Sequence, residues 1–120
     1  MPNKIDNTSL IKVDGNKIIE EYVGLINSGS KEISIAHIKS PKGWSEPGQR
    51  PEFNEHTPLI DREMLAETEN EEILFIKKGK LFIVNSIEWV KYNTPYIDTE
   101  YIAVFLPAFS YAKAFRDNVV

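Results

Sequence analysis

The chain has no cysteine, and only two of its 120 residues are histidines. Without a thiol it has no disulfide framework, no thiolate site for zinc or an iron–sulfur cluster, and no cysteine nucleophile. The two histidines, His37 and His56, are too few for a three-histidine metal site within one chain. These absences exclude several common kinds of metal site and one class of covalent catalysis.

Positive charge and long apolar runs are also scarce. The chain has 14 Lys and Arg residues against 18 Asp and Glu, a formal net charge of −4. Since a basic stripe supplies most non-specific affinity for nucleic acids, we expect no DNA or RNA partner. Residues 1–9 are polar and lack a signal-peptide apolar region, and no window approaches the length of a membrane span. We therefore expect no membrane association and a cytoplasmic location.

What the chain does have is a series of short segments rich in β-branched and aromatic residues, separated by Gly, Pro, Asn and acidic clusters. The predicted strands are residues 20–26, 31–39, 53–60, 64–68, 73–77, 81–84, 88–93 and 100–106. The turn residues at 27–30 predict a hairpin between the first two of them, and a short helix is predicted within 110–117. At this length the chain can bury one core, so we expect an all-β, antiparallel sandwich or barrel.

A Gly- and Pro-rich stretch carries the first of two spaced motifs. It begins at Gly43 and reads GWSEPGQRPEFNE. The first signature of the cupin family has a glycine, two histidines, a glutamate and a closing glycine at set intervals. Gly43 and Glu55 occupy their positions in that pattern. Gln49 and Pro51 stand at the two histidine positions, and Arg62 stands at the closing glycine.

The second motif begins at Gly79 and reads GKLFIVNSIEWVKY. Gly79 fits the second cupin signature, while Asn85 stands at its usual proline and Val90 at its third histidine. A short predicted hairpin separates the two motifs, as in cupins. From about Lys31 to its C-terminus, the chain therefore resembles an uncharacterised subgroup of small bacterial cupins with degenerate metal-binding motifs.

The resemblance implies an antiparallel jelly-roll barrel, also called a double-stranded β-helix or RmlC-like fold. We expect a single cupin domain over residues 1–120, with the barrel at about 17–107 and a short C-terminal extension at 108–120. The family also implies a homodimer. Edge strands need cover, and several aromatic residues exceed what a small core hides. These aromatic residues are Tyr22, Trp89, Tyr96, Phe109 and Phe115.

The resemblance also identifies the positions that hold a metal in cupins. Three imidazoles and one carboxylate at the barrel mouth suit Fe, Mn, Ni or Zn. Of those four positions only Glu55 keeps a typical ligand. A metal here would need a rearranged set made of Glu46, Gln49 and Glu55, in which the amide is a weak ligand. We therefore expect no cofactor, with a divalent transition metal as the less favoured alternative.

Strand alternation predicts which side chains share the barrel interior. If Glu55 points inward, period two turns Gln49 and Phe53 inward and His56 outward. If Val90 also points inward, the same alternation places Glu88 and Tyr92 on the inner face. Glu46, in the loop that precedes Gln49, completes the set. The candidate ligand-binding residues are Glu46, Gln49, Phe53, Glu55, Glu88 and Tyr92. An apolar pocket with a few polar groups suits a small polar molecule.

Three functions fit this prediction. The first is a metal-free module that binds a small polar molecule. The second is an isomerase, lyase or oxygenase in which Glu55 acts as a base, its pKa raised by burial, or joins a rearranged metal site. The third is a solidly packed barrel that acts only by association. Glu55 also has a structural alternative, as a buried partner of Tyr92 or Lys91, so enzyme and binding protein remain alternatives.

Overall fold

A computed structural model describes residues 2–13 and 15–117. Within them the chain forms ten β-strands and one short helix. The strands are β1 (Ser9–Ile11), β2 (Ile18–Val23), β3 (Ser34–Ser40), β4 (Trp44–Ser45), β5 (Asn54–Asp61), β6 (Glu63–Thr68), β7 (Ile73–Lys77), β8 (Leu81–Val84), β9 (Val90–Thr94) and β10 (Thr99–Leu106), and the helix is α1 (Tyr111–Ala114).

The strands form two antiparallel sheets that face each other. The larger has the order β1-β2-β3-β10-β5-β8, and the smaller has the order β4-β9-β6-β7. Every pairing within them is antiparallel. The predicted all-β antiparallel architecture is therefore confirmed. The predicted helix is confirmed within 110–117, whereas β1 and the two-residue strand β4 were not predicted.

Strand β5 shows how side-chain alternation builds the interior. Glu55, Thr57 and Leu59 are buried, whereas His56 between them is only partly buried. Such alternation is typical of a strand with one face on the core and one toward solvent. Glu55 is on the buried face of β5, and its side chain lies in the space between the sheets.

The apolar core lies in that same space. Both sheets contribute to it, so it holds them face to face at the distance that side-chain packing requires. It includes Ile38, Leu59, Met64, Ile76, Val90 and Tyr101. Several of these residues also line the site described below.

A cluster of three aromatic rings lies beside the core. Phe53 is fully buried, and its ring centroid lies 4.8 Å from that of Phe105 and 5.5 Å from that of Phe109. The Phe105 and Phe109 centroids are 5.4 Å apart. Phe109, named above as a surplus aromatic residue, thus packs inside the chain. The cluster attaches the segment after β10 to the start of β5.

The segment around α1 runs back along the loop that precedes β5. The Glu52 amide donates to the Lys113 carbonyl at 2.9 Å, and the Asp117 amide donates to the Gly48 carbonyl at 2.7 Å. Between these bonds, Gln49 and Arg116 form an isolated antiparallel bridge. This pairing brings Arg116 to the mouth of the barrel. In the residues described, no helix is long and apolar enough to cross a membrane.

Candidate ligand-binding cavity

A cavity of about 480 Å³ lies between the two sheets. One part of its wall is apolar, and it includes Ile19, Ala36, Ile38, Met64, Ala103 and Phe105. The other part is polar and charged, and it includes Lys17, Glu46, Gln49, Glu55, Tyr92 and Arg116. The barrel is therefore not packed solid, and both apolar and polar side chains line the empty space.

Glu55 lies at the centre of the polar wall. Its side chain is 1% exposed, and each of its oxygens accepts one hydrogen bond. The Gln49 amide donates from Nε2 to Oε1 at 3.1 Å, and the Tyr92 hydroxyl donates to Oε2. Lys91, the alternative partner, is on the outward face of β9 with only partial burial. Of the two structural partners considered from the sequence, Tyr92 is the one observed.

Burial raises the pKa of Glu55 to about 7, and the nearby carboxylate of Glu46 adds to the rise. The Tyr92 hydrogen bond and the cations Lys17 and Arg116 act in the opposite direction. Burial and the Glu55 carboxylate raise the pKa of Tyr92 well above its ordinary value, so its hydroxyl stays protonated. Near neutral pH, Glu55 is thus present in both protonation states and can give or take a proton.

Gln49 has one hydrogen-bonding atom without a partner. Its side chain is 3% exposed, and Oε1 bonds to no described residue although Nε2 is satisfied by Glu55. A buried acceptor that is left unpaired costs about 1–3 kcal/mol. Gln49 lines the cavity, and its Oε1 is itself buried there.

Glu46 joins two cations at the edge of the cavity. Lys17 Nζ lies 3.6 Å from Glu46 Oε2, and Arg116 donates to the same oxygen at 3.2 Å. The side chain of Glu46 is 6% exposed and that of Lys17 is 10% exposed. Lys17 Nζ also lies 4.1 Å from the centroid of the Trp44 ring, a cation–π contact. The cluster places two positive charges and one negative charge beside Glu55.

The donors at the cupin metal positions do not fit a transition metal. Gln49 and Glu55 hydrogen-bond each other, and Pro51 and Val90 contribute no side-chain ligand. Glu46, the remaining candidate ligand, is already occupied by two cations. In the part of the chain that the structure describes, no three His, Cys, Asp or Glu side chains are grouped to hold a metal ion.

Comparison with known proteins establishes the fold. No protein-family model matches the chain. An RmlC-like cupin from Shewanella frigidimarina NCIMB 400 is 16% identical, with a TM-score of 0.72 over 88% of this chain and 89% of that chain. The chain has the cupin fold. A Bacillus subtilis oxalate decarboxylase variant matches this chain with a TM-score of 0.76 at 14% identity, over 93% of this chain and 31% of that chain.

Two further matches name a ligand and an activity. A variant of PAC13 from Streptomyces, solved with uridine, matches this chain with a TM-score of 0.74 at 10% identity, over 98% of this chain and 90% of that chain. Endoribonuclease YbeY of Myxococcus xanthus (strain DK1622) is 36% identical over 101 residues. That alignment covers 83% of this chain and 34% of that protein, so this chain spans about a third of its curated relative's length. The uridine is the ligand of the Streptomyces protein, and the endoribonuclease activity is that of the Myxococcus protein.

The structure brings four of the six candidate ligand-binding residues to the cavity wall. They are Glu46, Gln49, Glu55 and Tyr92. Phe53 is instead behind the wall, in the aromatic cluster. Glu88 is exposed, and its Oε1 accepts a hydrogen bond from the Asn85 amide at 2.7 Å. Glu88 does not line the cavity, because β9 begins at Val90 and period-two alternation does not extend back to Glu88.

The sequence reasoning missed both cations of the cavity. Lys17 precedes β2, and Arg116 follows α1, so neither lies within the two cupin motifs. No spacing rule links residues so far apart in the chain. A weak indication was present in the sequence for Arg116 alone. It lies in the predicted helix segment 110–117, whose apolar residues indicate that the segment packs against the barrel.

Proposed function

We propose that this cupin binds a small, neutral, polar molecule in its cavity and does so without the histidine metal site of its fold family. The observation that supports the proposal is the cavity itself, an open space of about 480 Å³ lined by both apolar and polar side chains. Binding sites are typically concave and mostly apolar, with a few placed polar groups that orient the ligand. A barrel filled by its own side chains would not offer such a space.

The polar wall favours a ligand that donates hydrogen bonds. Gln49 Oε1 is an unpaired acceptor among the described residues, and Glu55 and Glu46 offer carboxylate oxygens. Lys17 and Arg116 already contact Glu46, so an anionic ligand would compete with that carboxylate. Hydroxyl and N–H groups on a neutral molecule match this arrangement. Uridine, present in the Streptomyces neighbour, is a molecule of this type.

Binding is tested with uridine and the neutral sugar D-xylose, by saturation-transfer NMR and calorimetry at neutral pH. We expect saturable binding of at least one of them. Replacing Gln49 by leucine removes the acceptor, so affinity should fall about tenfold, the equivalent of one hydrogen bond. The matched control is Asn93→Leu, an amide on β9 that lies outside the cavity and should bind like wild type. If neither probe binds, or if Gln49→Leu binds normally, the proposal is wrong.

A metal-free acid–base enzyme of the isomerase or lyase class is the second candidate. The observation that favours it is the Glu55 carboxyl, whose pKa of about 7 lets it exchange protons with a cavity ligand near neutral pH. Such an enzyme would have a turnover rate that depends on a group titrating near pH 7. The Glu55→Gln variant would have no turnover.

We also propose that the protein is a homodimer. Strands β7 and β8 are at open edges of the two sheets and follow one another along the chain. They expose four large apolar side chains, by about half of each surface: Ile73, Phe75, Leu81 and Ile83. Open edges with apolar side chains favour association. Light scattering should give twice the monomer mass for wild type and the monomer mass for Phe75→Asp, while a monomeric wild type at micromolar concentration would contradict the dimer.

A further inference from the structure

Lys17 places its amine on the wall of the cavity. Lysine side chains ordinarily bury the aliphatic stem and leave the ammonium in water. Here the side chain is only 10% exposed, and Nζ lies 4.1 Å from the centroid of the Trp44 ring. Lys17 lines the same cavity as Glu55 and Tyr92, and its Nζ also lies 3.6 Å from Glu46 Oε2.

Burial and a neighbouring guanidinium make this amine easier to deprotonate than an exposed lysine. Burial lowers the pKa of Lys17, and the Arg116 guanidinium lowers it further, while Glu46 and Glu55 act in the opposite direction, with a net decrease. Removal from water and a neighbouring cation are the two conditions that activate lysine amines for attack on carbonyl groups.

We propose that Lys17 is a nucleophile that forms an imine with a small, neutral, hydroxylated aldehyde or ketone bound in the cavity. This inference rests on the proposed function, because it assigns a substrate class and a covalent step to the same cavity. It differs from reversible binding in that one covalent bond joins Nζ to the substrate.

The step needs no oxidant or reductant. The Nζ lone pair attacks the carbonyl carbon, a C–N bond forms, and the C=O π electrons move to the oxygen, which takes a proton. The nitrogen gives up one of its two protons, which restores its lone pair, and a second proton on the oxygen lets that oxygen leave as water. The C–O bond breaks as the nitrogen lone pair forms the C=N double bond, which leaves a protonated imine. One carbonyl compound is consumed, and one water is released. Glu55 is half protonated near pH 7 and lies in the same cavity, so it can supply a proton.

The other groups around Lys17 define the carbonyl compound. Glu46, Glu55 and Gln49 Oε1 present acceptors, which favour hydroxyl groups and disfavour an acid function. The Trp44 ring already lies against Nζ, and its face can stack on a planar, cationic imine. The open-chain form of a small sugar has both features, a carbonyl carbon and several hydroxyl groups.

The experiment traps the imine by reduction. Wild-type protein is incubated with D-glyceraldehyde, and in parallel with dihydroxyacetone, in the presence of cyanoborohydride at neutral pH. Intact mass and peptide mapping then locate the adduct. We expect one adduct per chain, with Lys17 modified at least about tenfold more than any other lysine. Lys17→Arg keeps a cation for Glu46 and should lose the adduct. Lys91→Arg, which changes a lysine outside the cavity, should keep it.

Mapping on wild-type protein does not depend on whether the variants fold. Adducts spread evenly over surface lysines would overturn the imine. If saturation-transfer NMR shows that the same probes bind reversibly while Lys17 stays unmodified, the imine fails and the binding function stands. If neither these probes nor uridine and D-xylose bind, both proposals fail.

Discussion

At about pH 8, Glu55→Gln is expected to be more stable than wild type by about 3 kcal/mol. Glu55 is 1% exposed, and burial raises its pKa from 4.5 to about 7. Each unit of pKa difference between the folded and unfolded states corresponds to about 1.4 kcal/mol. The wild-type protein bears this cost whenever the carboxyl is ionised, whereas a glutamine is never ionised.

The pH dependence has a definite sign. Because the folded state binds the Glu55 proton more tightly than the unfolded chain does, the proton stabilises the fold. That stabilisation is complete below the unfolded pKa of 4.5 and is lost as pH rises through the folded value of about 7. The free energy of unfolding of wild type should therefore fall across this range relative to the variant, and the two should differ little near the acid end.

Urea denaturation across this pH range measures the effect. Glu63→Gln is the matched control, because Glu63 lies on β6 outside the cavity and should show the wild-type pH profile. A Glu55→Gln protein that is no more stable than wild type at about pH 8 would contradict the prediction. Loss of ligand binding in the same variant would mean that Glu55 is kept for function at the expense of stability, as is common at active sites.

Replacing Phe53 by alanine is expected to lower the free energy of unfolding by about 3–5 kcal/mol. The ring is fully buried and contacts Phe105 and Phe109. Its removal would leave a cavity where the C-terminal segment meets β5. Since that segment also carries Arg116, the variant should lose order at the mouth of the barrel as well as stability.

Thermal and urea unfolding measure this loss, with Tyr96→Ala as the control. Tyr96 is 65% exposed, and its truncation should change stability by less than about 0.5 kcal/mol. Equal stability of the two variants would show that the aromatic cluster contributes little. A rise in hydrogen exchange of the Glu52 and Asp117 amides, which bond across the same junction, would locate the disruption.

Side-chain alternation predicted the strand interior well wherever a strand is regular. From Pro51 to Leu59 every second residue is buried, so Glu55 and Thr57 point inward and His56 outward, as their positions indicate. The rule failed at Glu88, because a turn with a positive φ at Ile87 precedes β9. Side chains alternate with a period of two only while the backbone stays extended. The local composition did not indicate the residue at which β9 begins.

The charged part of the cavity was beyond prediction for a different reason. Lys17 and Arg116 meet at Glu46 through tertiary pairing, including the bridge between Gln49 and Arg116. Sequence periodicity describes one strand or helix at a time, and it carries no information about which remote segments pack together. The acid Glu55 could be identified because it is embedded in a motif, whereas its cationic neighbours are not.

The pairing of the segment around α1 with the loop before β5 has an evolutionary consequence. The core and the sheet order depend on β2 to β10, whereas Arg116 and Lys17 come from segments that flank those strands. Substitutions in the flanking segments can therefore alter the charge and reactivity of the cavity while the barrel continues to fold. Directed evolution could begin in these flanking segments, where substitutions change the charge of the cavity and leave the strands of the barrel unchanged.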